Sequence, residues 1–250
     1  MRHEKNNKGQ TGSSGTHNER KTKNHANKNI DVTRTHLNFH LKKPKSTYIK
    51  EFQRIKDEYN LKGQIKTTSN ITCEYMVTSD KKFFETLGDE ETRRYFEESY
   101  KFLCNYKNLD EKYVISAVVH MDEDTPHMHF TYIPVVQTKD KLGIPIEKIS
   151  CRDFWHGQNT YGKLQDNFYE HVVSKGFDLE RGQPKEITGR EYLDPQKYKQ
   201  FTNYYETKEM LKNIKLELPN VPDIANIGRL TLKRDEKILD EIIKPKDNLI

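Results

Sequence analysis

Three histidines and three acidic residues share one eleven-residue stretch, HMDEDTPHMHF, at residues 120–130. The histidines are His120, His127 and His129, in a chain that has 10 histidines altogether. Neutral imidazoles suit divalent transition metals such as Mn, Co, Ni or Zn. Three protein ligands leave coordination positions open, as a Lewis-acid site requires, whereas structural zinc sites are closed. This stretch therefore predicts a metal site that polarises a substrate.

Two apolar runs, YVISAVV at 113–119 and HMHFTYIPVV at 127–136, predict the strands that would position these histidines. Side chains alternate along a strand, so His127 and His129 share one face. The connecting MDEDTP has the composition of a turn. If the two strands pair as a hairpin, His120 lies beside His127. We therefore predict that all three imidazoles converge at one end of a sheet, rather than being scattered over the surface.

Hydrophobic periodicity predicts further elements around this hairpin. Residues 47–60 have the pattern of an amphipathic helix, and residues 71–77 alternate like a strand with one buried face and Glu74 on the other. Ser79 or Asp80 can cap a short helix, and Asp89 can cap a longer helix that extends through Tyr106. Another helix over 159–175 is closed by Gly176.

The remaining segments are polar. GSSG at 12–15 has the composition of a loop within a basic arm that extends to about residue 41. The order helix, strand, two helices, strand, strand, helix favours an α+β fold with a central antiparallel β-sheet and flanking helices. We expect one domain over residues 1–190 and a helical extension over residues 191–250.

Charge and cysteine content narrow the class of protein. The net charge is +5, and lysine and arginine concentrate in residues 1–50, which favours a partner that carries phosphate. Cys73, Cys104 and Cys151 are far apart and form neither a CxxC pair nor a disulfide framework. The sequence has no membrane-spanning run and its first residues lack a signal-peptide core. We expect a reduced, cytoplasmic protein.

Two separated motifs resemble those of one known family. HMDEDTPHMHF resembles the metal-binding motif of plasmid mobilisation relaxases of the MobV type, also called Pre/Mob plasmid recombination enzymes. HNER at 17–20, NKNID at 27–31 and TRTHLN at 33–38 resemble the amino-terminal motif of that family, and GFDLERG at 176–182 also fits. The resemblance covers roughly residues 1–190, with both motifs in the family's order.

The resemblance implies a sheet-based relaxase domain of the HUH endonuclease class. Such enzymes nick one strand of plasmid DNA at a transfer origin, stay attached to the 5′ phosphate and later rejoin the ends. The implied cofactor is a divalent metal, with Mn²⁺ or Mg²⁺ expected. The implied partners are plasmid origin DNA, single-stranded or supercoiled, and the conjugation coupling machinery.

The resemblance also implies roles for individual residues. It makes His17 the nucleophile, Glu123 an orienting or proton-accepting carboxylate and Arg20 a phosphate-binding or orienting residue. The tyrosine that the family often has after the Leu-Asn pair is Phe39 here, which has no hydroxyl. Basic residues of the arm would neutralise backbone phosphates without reading sequence; they are Lys21, Lys23, Lys28 and Arg34.

Three other functions stay open at this point. A rolling-circle replication initiator would use a tyrosine on a helix after the metal motif, such as Tyr161 or Tyr169. Tyr48 is a further tyrosine candidate, although its helical spacing favours a place in the core. An accessory protein would bind origin DNA without cutting it. A metallohydrolase for small substrates is the third, and the basic arm argues against it.

Overall fold

The computed structural model describes residues 1–22, residues 29–182 and the three residues Tyr204, Thr207 and Lys208. Contacts divide the chain into one unit over Met1–Arg181 and a second over Gly182–Ile250. The predicted boundary at residue 190 lies outside the described residues. So does the predicted 191–250 extension, apart from the three residues just named.

A five-stranded antiparallel sheet forms the centre of the first unit, with strand order β1-β3-β5-β4-β2. A separate two-stranded ribbon joins β6 and β7. The elements in chain order are β1 (Arg2–Asn6), α1 (Lys8–Asn18), β2 (Phe39–Lys42), α2 (Tyr48–Glu58), β3 (Thr72–Thr78), α3 (Lys81–Asn105), β4 (Val114–His120), β5 (His127–Tyr132), β6 (Val135–Lys139), β7 (Pro145–Ile149), α4 (Cys151–Phe154) and α5 (Thr160–Ser174).

The predicted α+β class, with a central antiparallel sheet and flanking helices, is confirmed. β4 and β5 pair as a hairpin in which His120 lies opposite His127. Asp80 caps α3 by accepting a hydrogen bond from the Phe83 amide, and Gly176, at φ 87°, follows α5. α3 is broken at Gly88, where φ is 73°, so it comprises the short and the longer helix that were predicted.

Part of the apolar core lies between one face of the sheet and helices α3 and α5, and α2 contributes Tyr48, Phe52 and Ile55 to the same core. Tyr75 on β3 and Phe130 and Tyr132 on β5 are fully buried on this face. Tyr95 on α3 makes edge contact with Phe168 on α5, with 6.3 Å between ring centroids. Stacked and edge-on aromatic pairs of this kind add specificity to simple apolar burial.

The opposite face of the sheet is covered by α1 and α2, and here one prediction is wrong. The GSSG stretch is part of helix α1, although Gly and Ser are weak helix formers. Asn7 and Gln10 form a capping box that starts the helix. A Cβ at Gly15 would lie 2.8 Å from Tyr48 Cγ, so Gly15 permits the close approach of α1 and α2.

The same covering helix corrects the prediction for β3. Glu74 was predicted to lie on the solvent-facing side of the strand, but only 7% of the residue is exposed. Thr72, on the same side of β3, is fully buried. Thr72 and Thr11 of α1 share a hydrogen bond of 2.8 Å between their hydroxyls. Both faces of β3 are therefore buried, one by apolar and one by polar contacts.

The run at 127–136, predicted as one strand, divides into β5 and β6 around Ile133 and Pro134.

None of the helices within residues 1–22 and 29–182 is both long enough and apolar enough to cross a bilayer.

Two glycines of α1 provide a matched test of this packing. Gly15→Ala should destabilise the fold by about 1–3 kcal/mol, because the new methyl group meets the base of the Tyr48 ring. Gly12→Ala should be neutral or stabilising by up to about 1 kcal/mol, because its methyl group would lie 3.9 Å from Ile49 Cγ1. Urea denaturation measures both free energies of unfolding. Equal effects of the two substitutions would contradict the close α1–α2 contact.

Candidate active site

The three predicted ligand histidines meet at one end of the sheet. Their ring centroids are 5.1 Å apart for His120 and His127, 4.9 Å for His120 and His129, and 5.0 Å for His127 and His129. All three are buried. The hairpin register produces this convergence, because His120 lies opposite His127 and His129 is two residues further along the same face.

Each of the three rings has one nitrogen fixed by an outer hydrogen bond. His120 Nε2 donates to the Asn18 carbonyl over 2.8 Å, and His127 Nδ1 donates to the Thr125 carbonyl over 2.9 Å. His129 Nδ1 donates to the Glu74 carboxylate over 2.8 Å. A ring that donates through one nitrogen presents a lone pair on the other, which is how protein metal ligands are oriented.

The remaining nitrogens fit a divalent cation. His120 Nδ1 and His127 Nε2 lie 3.3 Å apart. Two nitrogens at about 2.1 Å from one ion would be about 3.0–3.4 Å apart. His129 Nε2 is buried and has no hydrogen-bond partner among the described residues. Burial lowers the pKa of His120 to about 2 and that of His127 to about 4, so both rings are neutral near pH 7 and can ligate.

Glu74 is a site residue that the sequence reasoning missed. Its two oxygens accept hydrogen bonds from His129, from the Asn18 amide at 2.9 Å and from the Thr131 hydroxyl at 3.0 Å. Burial would raise the pKa of Glu74, but the electrostatic interaction with His129 and these hydrogen bonds lower the pKa to about 2. A charged carboxylate in this position orients the His129 ring and increases its basicity.

His17 lies in the last turn of α1, beside the three clustered histidines. Its ring centroid is 5.6 Å from that of His129 and 6.0 Å from that of His120. A nitrogen of His17 and one each of His120 and His129 lie within 4.8 Å of one another. Burial lowers the pKa of His17 below its ordinary value. Electrostatic interactions with His129 and Arg20 lower it further. A neutral ring next to a cation site can act as a nucleophile or join the ligand set.

Arg20 is held by carboxylates of the β4–β5 turn. Its Nε and Nη2 donate to the two oxygens of Asp122 over 3.0 and 2.8 Å, and Nη2 also donates to Glu123 over 2.8 Å. Its Nη1 donates to the His17 carbonyl over 3.2 Å and lies 3.4 Å from His17 Nε2. Arg20 adopts a left-handed backbone conformation, with φ 47°. These contacts connect the end of α1 to the β4–β5 turn.

Glu123 lies between Arg20 and the ligand histidines. Its Oε1 is 3.7 Å from His127 Nε2. A carboxylate oxygen of Glu123 and ring nitrogens of His120 and His127 form a second group whose atoms all lie within 4.8 Å. Glu123 is therefore placed to orient the site or to contact a bound cation.

Glu19, the third residue of HNER, is a second residue that the sequence did not reveal. Its carboxylate accepts hydrogen bonds from Tyr48 and Ser116 over 2.9 and 3.0 Å, and it pairs with His40 at 2.9 Å. Burial would raise its pKa, but the hydrogen bonds from His40 and Tyr48 lower it. Glu19 thus joins the end of α1 to β2, α2 and β4.

The predicted DNA-binding residues fall in two groups. Lys21 and Arg34 are exposed on the segments that flank the site. The segment of Arg34 is fixed to the β4–β5 turn, because the Asp31 amide donates to the Asp122 carbonyl and Thr35 donates to the Asp122 side chain. Lys23 and Lys28 lie outside the described residues.

The tyrosine candidates do not meet the ligand histidines. Tyr48 is 1% exposed and donates to Glu19, and burial raises its pKa well above the ordinary value. Tyr161 stacks on Trp155 and lies 5.2 Å from the His3 ring, which contacts Tyr75. Tyr75 and Glu74 are neighbours on β3 and face opposite sides, so the sheet separates Tyr161 from His129. Tyr169 belongs to α5, on the Tyr161 side.

Comparisons with known proteins agree on one family. The Mob_Pre family model, described as plasmid recombination enzyme, matches residues 1–200. The plasmid recombination enzyme type 1 of Staphylococcus aureus is 34% identical over 203 residues, which are 80% of this chain and 47% of that protein. A plasmid recombination enzyme of a Bacillus species is 32% identical over 247 residues, covering 94% of this chain and 54% of that protein. The chain thus spans about half the length of these relatives.

The solved structures that resemble this chain include the MobM relaxase domain bound to plasmid pMV158 oriT DNA. One Mn-bound crystal structure of that domain superposes with a TM-score of 0.66 at 30% identity, covering 80% of this chain and 96% of the other. A second, with a 22-nucleotide DNA, has a TM-score of 0.66 at 29% identity and covers 80% and 97% of the two chains. This likeness confirms the predicted relaxase-like fold.

Replacing Glu74 should weaken metal binding without removing a ligand. Glu74→Gln keeps the size of the side chain but removes the charge that orients His129, so Mn²⁺ affinity should fall roughly 10–100-fold. Calorimetric titration of Mn²⁺ into the protein measures this. Glu4→Gln is the matched control, because Glu4 lies opposite Glu74 on β1 but is exposed. Equal affinities for the two variants would contradict an orienting role of Glu74.

Proposed function

The chain belongs to the plasmid recombination enzyme family, and from this we propose that it is a DNA relaxase. It would nick one strand of plasmid DNA at a transfer origin, remain attached to the 5′ phosphate, and later rejoin the ends for mobilisation or recombination. The proposal places the protein in the cytoplasm with its plasmid DNA. We further propose that the covalent bond to the 5′ phosphate is a phosphohistidine at His17.

One observation carries the proposal: a neutral imidazole at the end of α1 lies beside three imidazoles that fit a cation. The His17 ring is within 6.0 Å of two ligand rings, measured between centroids. A phosphodiester bound at the cation can therefore reach the His17 ring as well. None of the three tyrosine candidates, Tyr48, Tyr161 and Tyr169, offers the same placement.

The proposed cofactor is a divalent metal, Mn²⁺ or Mg²⁺, held by His120, His127 and His129. The Mn-bound structures of the related MobM domain support a metal of this class. When bound, such a metal neutralises charge on a nonbridging phosphate oxygen and so makes phosphorus easier to attack. Nitrogen ligands favour Mn²⁺ over Mg²⁺, which prefers oxygen.

His17 would attack phosphorus through a ring nitrogen. A bond forms between nitrogen and phosphorus, and the bond from phosphorus to the 3′ oxygen breaks. The second nitrogen of the His17 ring releases its proton and the 3′ oxygen takes one up, so the other DNA end leaves as a 3′ hydroxyl. The lowered pKa of His17 keeps the attacking lone pair available near pH 7. Reversal of the same step, with the 3′ hydroxyl as nucleophile, rejoins the strand.

Arg20, Asp122 and Glu123 would orient the nucleophile. Asp122 is fully buried and, together with Glu123, engages the Arg20 guanidinium. Arg20 in turn contacts the His17 carbonyl and approaches its ring. The chain thereby fixes the direction of the attacking nitrogen before DNA binds, which lowers the entropic part of the barrier.

Two histidine substitutions should separate attack from metal binding. His17→Ala should reduce nicking by roughly 10³-fold or more, because the nucleophile is lost, while Mn²⁺ affinity changes little. His127→Ala should lose nicking and Mn²⁺ binding together. The substrates are a supercoiled plasmid carrying the DNA around this gene and the pMV158 oriT oligonucleotide. Attached peptides are identified by mass spectrometry without acid treatment, since phosphoramidates hydrolyse in acid.

His36→Ala is the control for these variants, because His36 is exposed and lies outside the cluster. Its nicking rate should match that of the unaltered protein. A DNA adduct that persists in the His17→Ala protein would reject His17 as the nucleophile. DNA binding without nicking by the unaltered protein, with Mn²⁺ present, would favour the accessory-protein function instead.

Basic residues beside the site should make DNA binding depend on salt. Lys21→Ala and Arg34→Ala should each reduce the slope of log affinity against log salt concentration by about 0.7, the value for one phosphate contact to single-stranded DNA. Lys141→Ala, in the exposed turn between β6 and β7, should leave the slope unchanged. Fluorescence anisotropy of a labelled oligonucleotide at several salt concentrations measures it. Slopes unchanged in all three variants would contradict the DNA-binding assignment.

A further inference from the structure

Two cysteines that are distant in sequence meet in the fold. Cys73 on β3 and Cys151 at the start of α4 are 78 positions apart, and their Sγ atoms lie 3.5 Å apart. Both residues are buried, at 0% and 8% exposure. The spacing of cysteines had predicted no disulfide framework. Nothing in the proposed relaxase chemistry uses this pair, which lies on the Tyr75 face of the sheet.

We propose that Cys73 and Cys151 form a reversible dithiol–disulfide pair that hydrogen peroxide oxidises. A disulfide needs the two sulfurs to move from 3.5 Å to about 2.05 Å. β3 is held by hydrogen bonds to β1 and β5 on its two sides, whereas α4 is a four-residue helix. We therefore expect Cys151 and α4 to move toward Cys73 when the bond forms. Cytosolic disulfides are commonly of this transient, redox-sensing kind.

Cys151 is the thiol that peroxide can reach first. It lines a cleft of about 650 Å³ together with Lys5, Trp155 and Gln158, among others. The hydrogen bond from Cys73 and the nearby Lys5 charge lower the pKa of the Cys151 thiol, while burial raises that of Cys73 well above its ordinary value. Cys151 thus has more thiolate character, and Cys73 is placed to resolve the oxidised product.

The reaction balances with peroxide as the only oxidant. The Cys151 thiolate attacks one peroxide oxygen, so an S–O bond forms, the O–O bond breaks, and hydroxide leaves with a proton as water. Sulfur becomes a sulfenic acid and loses two electrons to peroxide. The Cys73 sulfur then attacks Cys151, forming the S–S bond and displacing hydroxide, which takes the Cys73 proton. The net change is two thiols and one peroxide to one disulfide and two waters.

The test is peroxide treatment of the full reduced chain in a buffer with chelator. Remaining thiols are then alkylated in denaturant and the peptides are identified by mass spectrometry. The expected result is a cross-linked peptide containing Cys73 and Cys151, lighter by two hydrogen atoms than the sum of its parts, with Cys104 alkylated. Dithiothreitol should restore three free thiols. The oxidised chain should also melt roughly 5–10 °C higher, since the bond closes a long loop.

Cys104→Ser is the matched control, because burial raises the pKa of Cys104 to about 11 and it lies beside Tyr100, away from the pair. This variant should form the cross-link at the unaltered rate, whereas Cys151→Ser should form none and show no rise in melting temperature. The proposal is overturned if Cys151 proceeds to sulfinic acid while Cys73 stays a thiol. It is equally overturned if all three thiols survive, or if only disulfides between chains appear. These outcomes do not depend on DNA nicking.

Discussion

The site depends above all on one buried carboxylate that joins two motifs far apart in sequence. Glu74 accepts hydrogen bonds from His129 on β5 and from Asn18 at the end of α1. A single charge on β3 therefore connects the three clustered histidines to the helix that carries His17. A carboxylate buried without such donors would be costly by several kcal/mol, which makes the arrangement cooperative. Losing either partner leaves the charge under-compensated and weakens the contact with the other.

Further polar contacts fix Glu19 and Arg20, the two residues that follow α1. Glu19 connects it to α2 and β4 through Tyr48 and Ser116. Arg20 connects it to Asp122 after β4. Each of the three residues that directly follow His17 is therefore fixed to a different part of the fold. This bracing requires α1 to approach α2 closely, which Gly15 allows.

The sequence predicted the hairpin better than the helix beside it, for physical reasons. The place of His120 opposite His127 follows from strand alternation and a short turn, which are local. α1 was not predicted, because Gly and Ser are weak helix formers, and its contacts with Tyr48 and Thr72 depend on the tertiary fold. Glu74 was predicted to face solvent, because the alternation of residues along a strand shows which of them share a face but not what covers that face. The Cys73–Cys151 contact depends on the tertiary fold alone.

The charge balance of the site gives a reason why a cation and DNA would bind together. Three carboxylates, those of Glu74, Asp122 and Glu123, lie within or beside the cluster, and the one guanidinium of Arg20 pairs with two of them. The lowered pKa values of His17, His120 and His127 mean that these rings add no compensating charge near pH 7. A phosphate approaching such a site meets net negative charge at short range, where screening by salt is weak. Under the proposed function, a divalent cation between the imidazoles offsets this repulsion where the scissile phosphate must lie, while residues such as Lys21 and Arg34 attract the flanking phosphates. Under the same proposal, phosphate contacts outside the cluster position the strand, and the bound cation allows the scissile phosphate to approach His17.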